Sequence, residues 1–249
     1  DLGTHTFTLG GNAVNFELRQ LNYLAALLVH LTGTYTVANA ILVFNALQPY
    51  NIIRQFLLTV PSNPMPVFNL GGAAMHVWNL RNADFAPGRK QWRFPAQGTL
   101  DANAYHASLV DQFPTAIGAQ TFHLWWVLPL ARSADDTEGV VPMGNKQLVQ
   151  LQIFPAAAAD VVTVAANLTL PVFTVQVTQL TLTPPPAGAP IAGGGVDTSR
   201  LIAYDETFQQ IAAVGQQLVE ISPTHEILGI LHGVILNNAM DSADIDNWT

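Results

Sequence analysis

Alternation of apolar and polar positions is the main signal along this chain. "KQLVQLQIF" puts Val149, Leu151 and Ile153 on one face and Gln150 and Gln152 on the other. "PVFTVQVTQLTLT" repeats the pattern, with Phe173, Val175 and Val177 set against Thr174, Gln176 and Thr178. A period of two predicts strands with one face on a core. "AQTFHLWWVLPL" is apolar at nearly every position, as in a strand covered on both sides, and the adjacent Trp125 and Trp126 must then face opposite ways. "TGTYTVANAILVF", "YNIIRQFLLTV" and "MPVFNL" add further β-prone runs, the last two separated by the turn signal "PSNP". Leu18, Leu21, Leu24 and Leu28 fall at helical spacing, which predicts a short helix or extended lead-in that becomes a strand by Thr32. Short strands punctuated by Pro and Gly predict an all-β antiparallel sandwich or barrel.

One stretch breaks this texture. "TPPPAGAPIAGGGVDTS", residues 183 to 199, is first Pro-rich and then Gly-rich, and reads as a linker. The expected organisation is an N-terminal arm over 1–17, a first β unit over 18–183, a linker over 184–199 and the start of a second unit over 200–249. "QQIAAVGQQLVEI" and "HEILGILHGVIL" supply strand-like runs in that last part. "LGG" at 9–11 and "NLGG" at 69–72 read as turns. Neither is expected to open a helix followed by Lys, as a phosphate cradle would.

Composition narrows the function. The chain carries 26 charged residues in 249, 9 basic and 17 acidic, for a net charge of −8, while 49% of it is apolar. With no basic run to neutralise phosphates, direct nucleic-acid binding is not expected. The absence of cysteine excludes disulfides and thiolate metal sites. No apolar run reaches the ~20 residues of a membrane-spanning helix. A surface built mainly of Asn, Gln, Thr, Ser and Gly suits burial against neighbours, where a desolvated charge would be costly.

"ARSADDTEG", residues 131–139, is the densest cluster of charge, and Asp135, Asp136 and Glu138 could form an acid or metal site. Ser133 lies three residues before Asp136, so a Ser-capped helical turn with acids in its first turn, stopped by Gly139, accounts for the same residues without chemistry. A paired-carboxylate hydrolase would need one acid buried and desolvated. The seven histidines, His5, His30, His76, His106, His123, His225 and His232, form no H-x-H or HExxH pair. His225 and His232, seven apart, would point to opposite faces of a strand. No G-x-S-x-G elbow or P-loop is present. The sequence therefore assigns no catalytic, cofactor-binding or metal-ligating residue, and no cofactor.

The order of these motifs resembles a known lineage. "HLTGTYTV", "QPYNIIRQFLLTV", "PVFNLGGAAMHVWNLR" and "FHLWWVLPLARSADDTEGVVPMGNKQLVQLQIF" follow one another as in the major capsid proteins of tailless, membrane-containing icosahedral phages, the tectivirus-like double jelly-roll lineage. "GQQLVEISPTHEILGILHGVIL" looks like the opening strands of that lineage's second jelly roll, which this chain is expected to carry only in part. The resemblance covers roughly residues 18–249. It implies an antiparallel jelly-roll sandwich in a structural, non-enzymatic virion coat protein. Homotrimers would tile an icosahedral shell over an internal membrane, beside penton and minor capsid proteins. The edge strands around "PVFNLGGAAMHVW" and the linker "PPPAGAPIAGGG" are the expected contact regions. A carbohydrate-binding sandwich is the alternative, with Trp78, Trp92 or Trp126 as stacking platforms. A cupin-type metalloenzyme would need clustered histidines, and an outer-membrane barrel would need strict alternation in every strand, which "IIRQFLL" and "FHLWWVLPL" lack.

Overall fold

The computed structural model describes residues 1–38, 49–60, 65–81, 116–132, 138–143, 148–162, 168–169, 172–183, 201–206, 235–236 and 239–240. In chain order its strands are β1 (Thr4–Phe7), β2 (Val14–Glu17), β3 (Tyr23–Val37), β4 (Ile53–Thr59), β5 (Phe68–Leu70), β6 (Gly118–Pro129), β7 (Val141–Pro142), β8 (Gln150–Pro155), β9 (Leu168–Thr169), β10 (Phe173–Leu182), β11 (Tyr204–Asp205), β12 (Ile235–Leu236) and β13 (Ala239–Met240). A 3₁₀ turn (Tyr50–Ile52) precedes β4, and two helices, α1 (Gly72–Arg81) and α2 (Ala158–Val161), lie between strands.

The strands form two main sheets. One runs β1-β10-β3-β6, and the other runs β11-β5-β4-β8-β2. Every pairing within them is antiparallel except β11 with β5. The eight long-range strands β1, β2, β3, β4, β5, β6, β8 and β10 pass from sheet to sheet at every step but β4 to β5, in the order of a jelly roll, which is two interlocked Greek keys. The expected all-β antiparallel jelly-roll sandwich is therefore the fold.

Period-two patterning builds the core between the sheets. Leu27, Val29, Leu31, Tyr35 and Val37 of β3 meet Phe122, Leu124, Trp126 and Leu128 of β6, and Phe173, Val175 and Val177 of β10. Phe16, Phe56, Leu58, Phe68, Leu151 and Ile153 close the core from the opposite sheet. Gly33 sits inward between Phe122 and Phe173, whose rings pack at 5.4 Å and 76° in the space its missing side chain leaves.

Two local expectations change. Residues 1–17 carry two short strands. Thr4–Phe7 pairs with β10 and Val14–Glu17 with β8, and strands of four residues are too short to show a clear period. Leu24 and Leu28 lie in a strand, with Leu18 and Leu21 in the extended lead-in. The opening of β3, Leu24–Leu27, is buried on both faces and so shows no alternation. "NLGG" does open a helix, α1, although Lys does not follow it. The linker 184–199 lies outside the described residues. Beyond it, Tyr204–Asp205 pairs with β5 of the sandwich as β11.

Side-chain amides close two gaps in the backbone bonding. Asn79 of α1 donates to the Val127 carbonyl at 2.7 Å and accepts from the Val127 N–H at 2.9 Å, acting as a partner strand for the free edge of β6. Gln179 of β10 does the same for Arg19, accepting at 2.9 Å and donating at 3.0 Å.

Candidate functional site

The acidic loop is closed at its base. The Arg132 N–H donates to the Glu138 carbonyl at 2.9 Å, and the Arg132 guanidinium reaches the Glu138 carboxylate at 3.3 Å. Gly139 follows at φ +94°, where a Cβ would strike the Leu130 carbonyl, so the turn needs glycine. Ser133, Asp135 and Asp136, and with them the expected capped turn, lie outside the described residues. Glu138 serves as an ion-pair partner at the foot of the loop. Among the described residues no group of three or more His, Asp or Glu could hold a metal.

The outer face of the β1-β10-β3-β6 sheet carries the most developed polar cluster. Strand register aligns Thr4, Gln176, His30 and Trp125 in one row, and Thr6, Thr174, Thr32 and His123 in the next. His30 Nε2 and His123 Nδ1 are 3.2 Å apart with ring planes within 12° and centroids 5.4 Å apart, so the imidazoles meet edge to edge in a hydrogen bond whose direction the tautomers set. Trp125 lies flat on His30, at 3.8 Å and 6°. Gln176 hydrogen-bonds the His30 ring and donates to Asp1 Oδ2 at 2.9 Å. Burial, reinforced by His123, lowers the pKa of His30 to about 4 in spite of Gln176, so this imidazole is neutral at pH 7. Apart from the two imidazoles, these rows contain no ionisable side chain. Sequence reading misses the pair because 93 residues separate its members and only the β3–β6 pairing joins them.

The other candidates are tied into the fold. His76 stacks on Tyr50 at 3.3 Å, and burial lowers its pKa to about 4. His5 sits edge-on to Phe16 at 4.7 Å. His106, His225, His232 and Trp92 lie outside the described residues. Trp126 is fully buried, its indole N–H donating to the Gly72 carbonyl at 2.7 Å. Trp78 packs against Tyr204 at 5.4 Å. Trp125 and Trp126 do face opposite ways. An open hollow of about 330 Å³ beside the β1–β2 turn is lined by Thr6, Phe7, Thr8, Asn12, Ala13, Val14 and Val172, and none of these side chains ionises. Among the described residues, the largest fully buried side chains are mostly aromatic.

No protein-family model matches the chain, and no curated protein does. Among solved structures, it is similar to the STIV MCP crystal structure at 17% identity and a TM-score of 0.45, covering 73% of this chain and 47% of that one. It is similar to the atomic structure of Sulfolobus Turreted Icosahedral Virus at 15% identity and a TM-score of 0.44, covering 70% and 42%. A third likeness is to the PBCV-1 virus capsid, at 12% identity and a TM-score of 0.37, covering 71% and 42%. The chain spans less than half the length of each.

Proposed function

We propose that this chain is a structural coat protein of a virion. In this reading it trimerises, and the trimers tile an icosahedral shell over an internal membrane, with penton and minor capsid proteins as further neighbours. It performs no catalysis, takes no cofactor and does not contact nucleic acid directly. The observation that carries the reading is a jelly roll with a solid interior. Trp126, Tyr35, Phe16, Phe56, Phe68, Phe122 and Phe173 fill the space between the sheets. Jelly rolls serve in capsids, lectins and cupins. A cupin keeps its metal inside the barrel, and here that space is packed hydrocarbon. An outer-membrane barrel turns its apolar side chains outward, whereas these turn inward. A lectin needs an open ring, but among the described residues Trp126 is buried, Trp78 meets Tyr204 edge to face at 5.4 Å, and one face of Trp125 is covered by His30.

Surface composition supports the same reading. With 26 charges in 249 residues, an isolated molecule presents a sparsely charged exterior, poor for colloidal solubility. A permanent interface of roughly 2,000 Å² or more would remove that liability, and cyclic symmetry would close it without a leftover sticky patch. Light scattering and electron microscopy of the purified protein test this. Trimers or shells at micromolar concentration are expected. A stable monomer that binds glycans on an array would refute the coat role in favour of the carbohydrate-binding one.

A further inference from the structure

The chain leaves the first sandwich at Thr183, and the Pro- and Gly-rich residues follow. Fully extended, residues 184–199 could reach about 55 Å, so such a linker alone would leave the downstream chain free over a wide volume. Yet Leu201–Glu206 is held to the sandwich by three separate kinds of contact.

The first is main-chain pairing. β11 lies parallel to β5, with Tyr204 opposite Phe68 and Asp205 opposite Asn69. The Tyr204 N–H donates to the Val67 carbonyl at 2.7 Å, and the Glu206 N–H donates to the Asn69 carbonyl at 3.1 Å. A parallel pair needs a long crossover and does not arise as a by-product of a tight turn. The second contact is polar. Asn69 Nδ2 donates to Asp205 Oδ1 at 2.7 Å, and the Gly71 N–H donates to Glu206 Oε2 at 2.7 Å. Asn69 is itself held by Gln55, whose Nε2 donates to Asn69 Oδ1 at 2.6 Å. The third is apolar. The Tyr204 ring stacks on Phe68 at 4.9 Å and 12°, and Trp78 of α1 meets it at 5.4 Å and 76°. Ile202 packs on Gly139, where a Cβ would come within 3.0 Å of its side chain. The glycine ending the acidic loop thus makes room for this segment.

We propose that Leu201–Glu206 is an anchor. It binds the chain beyond the linker to the β5 edge and to α1 of its own sandwich. Whatever the chain builds after Glu206 then starts from a fixed point, and the β5 edge is closed to other strands. The partner that this edge accepts is the chain's own segment, recognised by backbone pairing, an aromatic stack and two carboxylates.

Hydrogen exchange on the full chain, read by mass spectrometry, tests the anchor and does not depend on shell formation, so failure to assemble leaves it unaffected. In the unaltered protein, 201–206 and 67–71 should both be protected. Tyr204→Ala should raise exchange in both segments about tenfold or more while the β3–β6 amides stay unchanged. Free exchange of 201–206 in the unaltered protein, or an unchanged 67–71 in the variant, overturns the anchor. A second test exploits the cysteine-free background. Asn69→Cys with Asp205→Cys places two thiols at directly opposed positions of neighbouring strands, within reach of a disulfide. Mild oxidation should give a cross-link within single chains. No cross-link, or one joining two chains, overturns the proposal.

Discussion

Replacing Asn79 should destabilise the sandwich through an edge strand that the residue touches only by its amide. The residue is 8% exposed, and besides a long contact to Met75 Sδ its amide bonds the C=O and the N–H of Val127, which is itself buried. In Asn79→Leu the volume is retained but the N–H and C=O of Val127 lose their partners. A buried backbone group left unpaired costs about 1–3 kcal/mol, so the pair costs about 2–6 kcal/mol before water recovers part of it at the edge, and about 2–4 kcal/mol afterwards. The better helix propensity of Leu returns only a few tenths of a kcal/mol. Against a domain stability of about 5–15 kcal/mol this is a large fraction. With a urea slope near 3 kcal/mol/M, the unfolding midpoint followed by far-UV circular dichroism should fall by about 1 M. Asn79→Ala should cost at least as much, since it adds a cavity. A Leu variant within about 0.5 kcal/mol of the parent would refute the reasoning, because packing alone would then account for Asn79.

Three further outcomes are expected. Gly33→Ala would put a Cβ 2.9 Å from Phe122 and 3.1 Å from Phe173, both ring atoms held in the core, and should lower stability by about 1–3 kcal/mol in a thermal melt. His30 and His76 stay neutral in the fold down to about pH 4, while in the unfolded chain they take up protons from about 6.5. The unfolded state therefore binds more protons in that window, and stability should fall as pH drops from about 6.5 toward 4; urea midpoints at pH 7.5, 6 and 5 should show a slope that His30→Gln with His76→Gln flattens. Replacing Asp135 and Asp136 by Asn should cost at most about 1 kcal/mol by chemical denaturation, as lost helix-start terms would.

What the sequence revealed depended on how each strand is buried. β8 and β10 have one face on the core and one face toward solvent, so their alternation could be read directly. β3 begins inside a second layer of contacts, Ala25 with Ala131 and Val140, and Ala26 with Val127, which erased its period and let a helical spacing compete. α1 starts on two glycines with no acid in its first turn, so it lacked the usual signs of a helix start. β11 is two residues long and owes its place to partners far away in sequence, which no local pattern encodes. The edge-to-edge histidines and the Asn79 amide belong to the same class, since each exists only once the sheet has brought distant segments together.

The pairing of β1 with β10 sets a timetable for the chain during synthesis. Thr4 lies opposite Gln176, so the strand made first waits for the strand made last in the sandwich. At ribosomal speeds of about 5–20 residues per second, that wait is about ten to thirty seconds. β2 waits nearly as long for β8. Throughout it, Phe7, Val14 and Phe16 are without the core that finally covers them. The nascent chain therefore carries an open apolar segment until β10 has been made. Its yield on expression should depend on chaperone supply and temperature more than the stability of the finished sandwich would suggest.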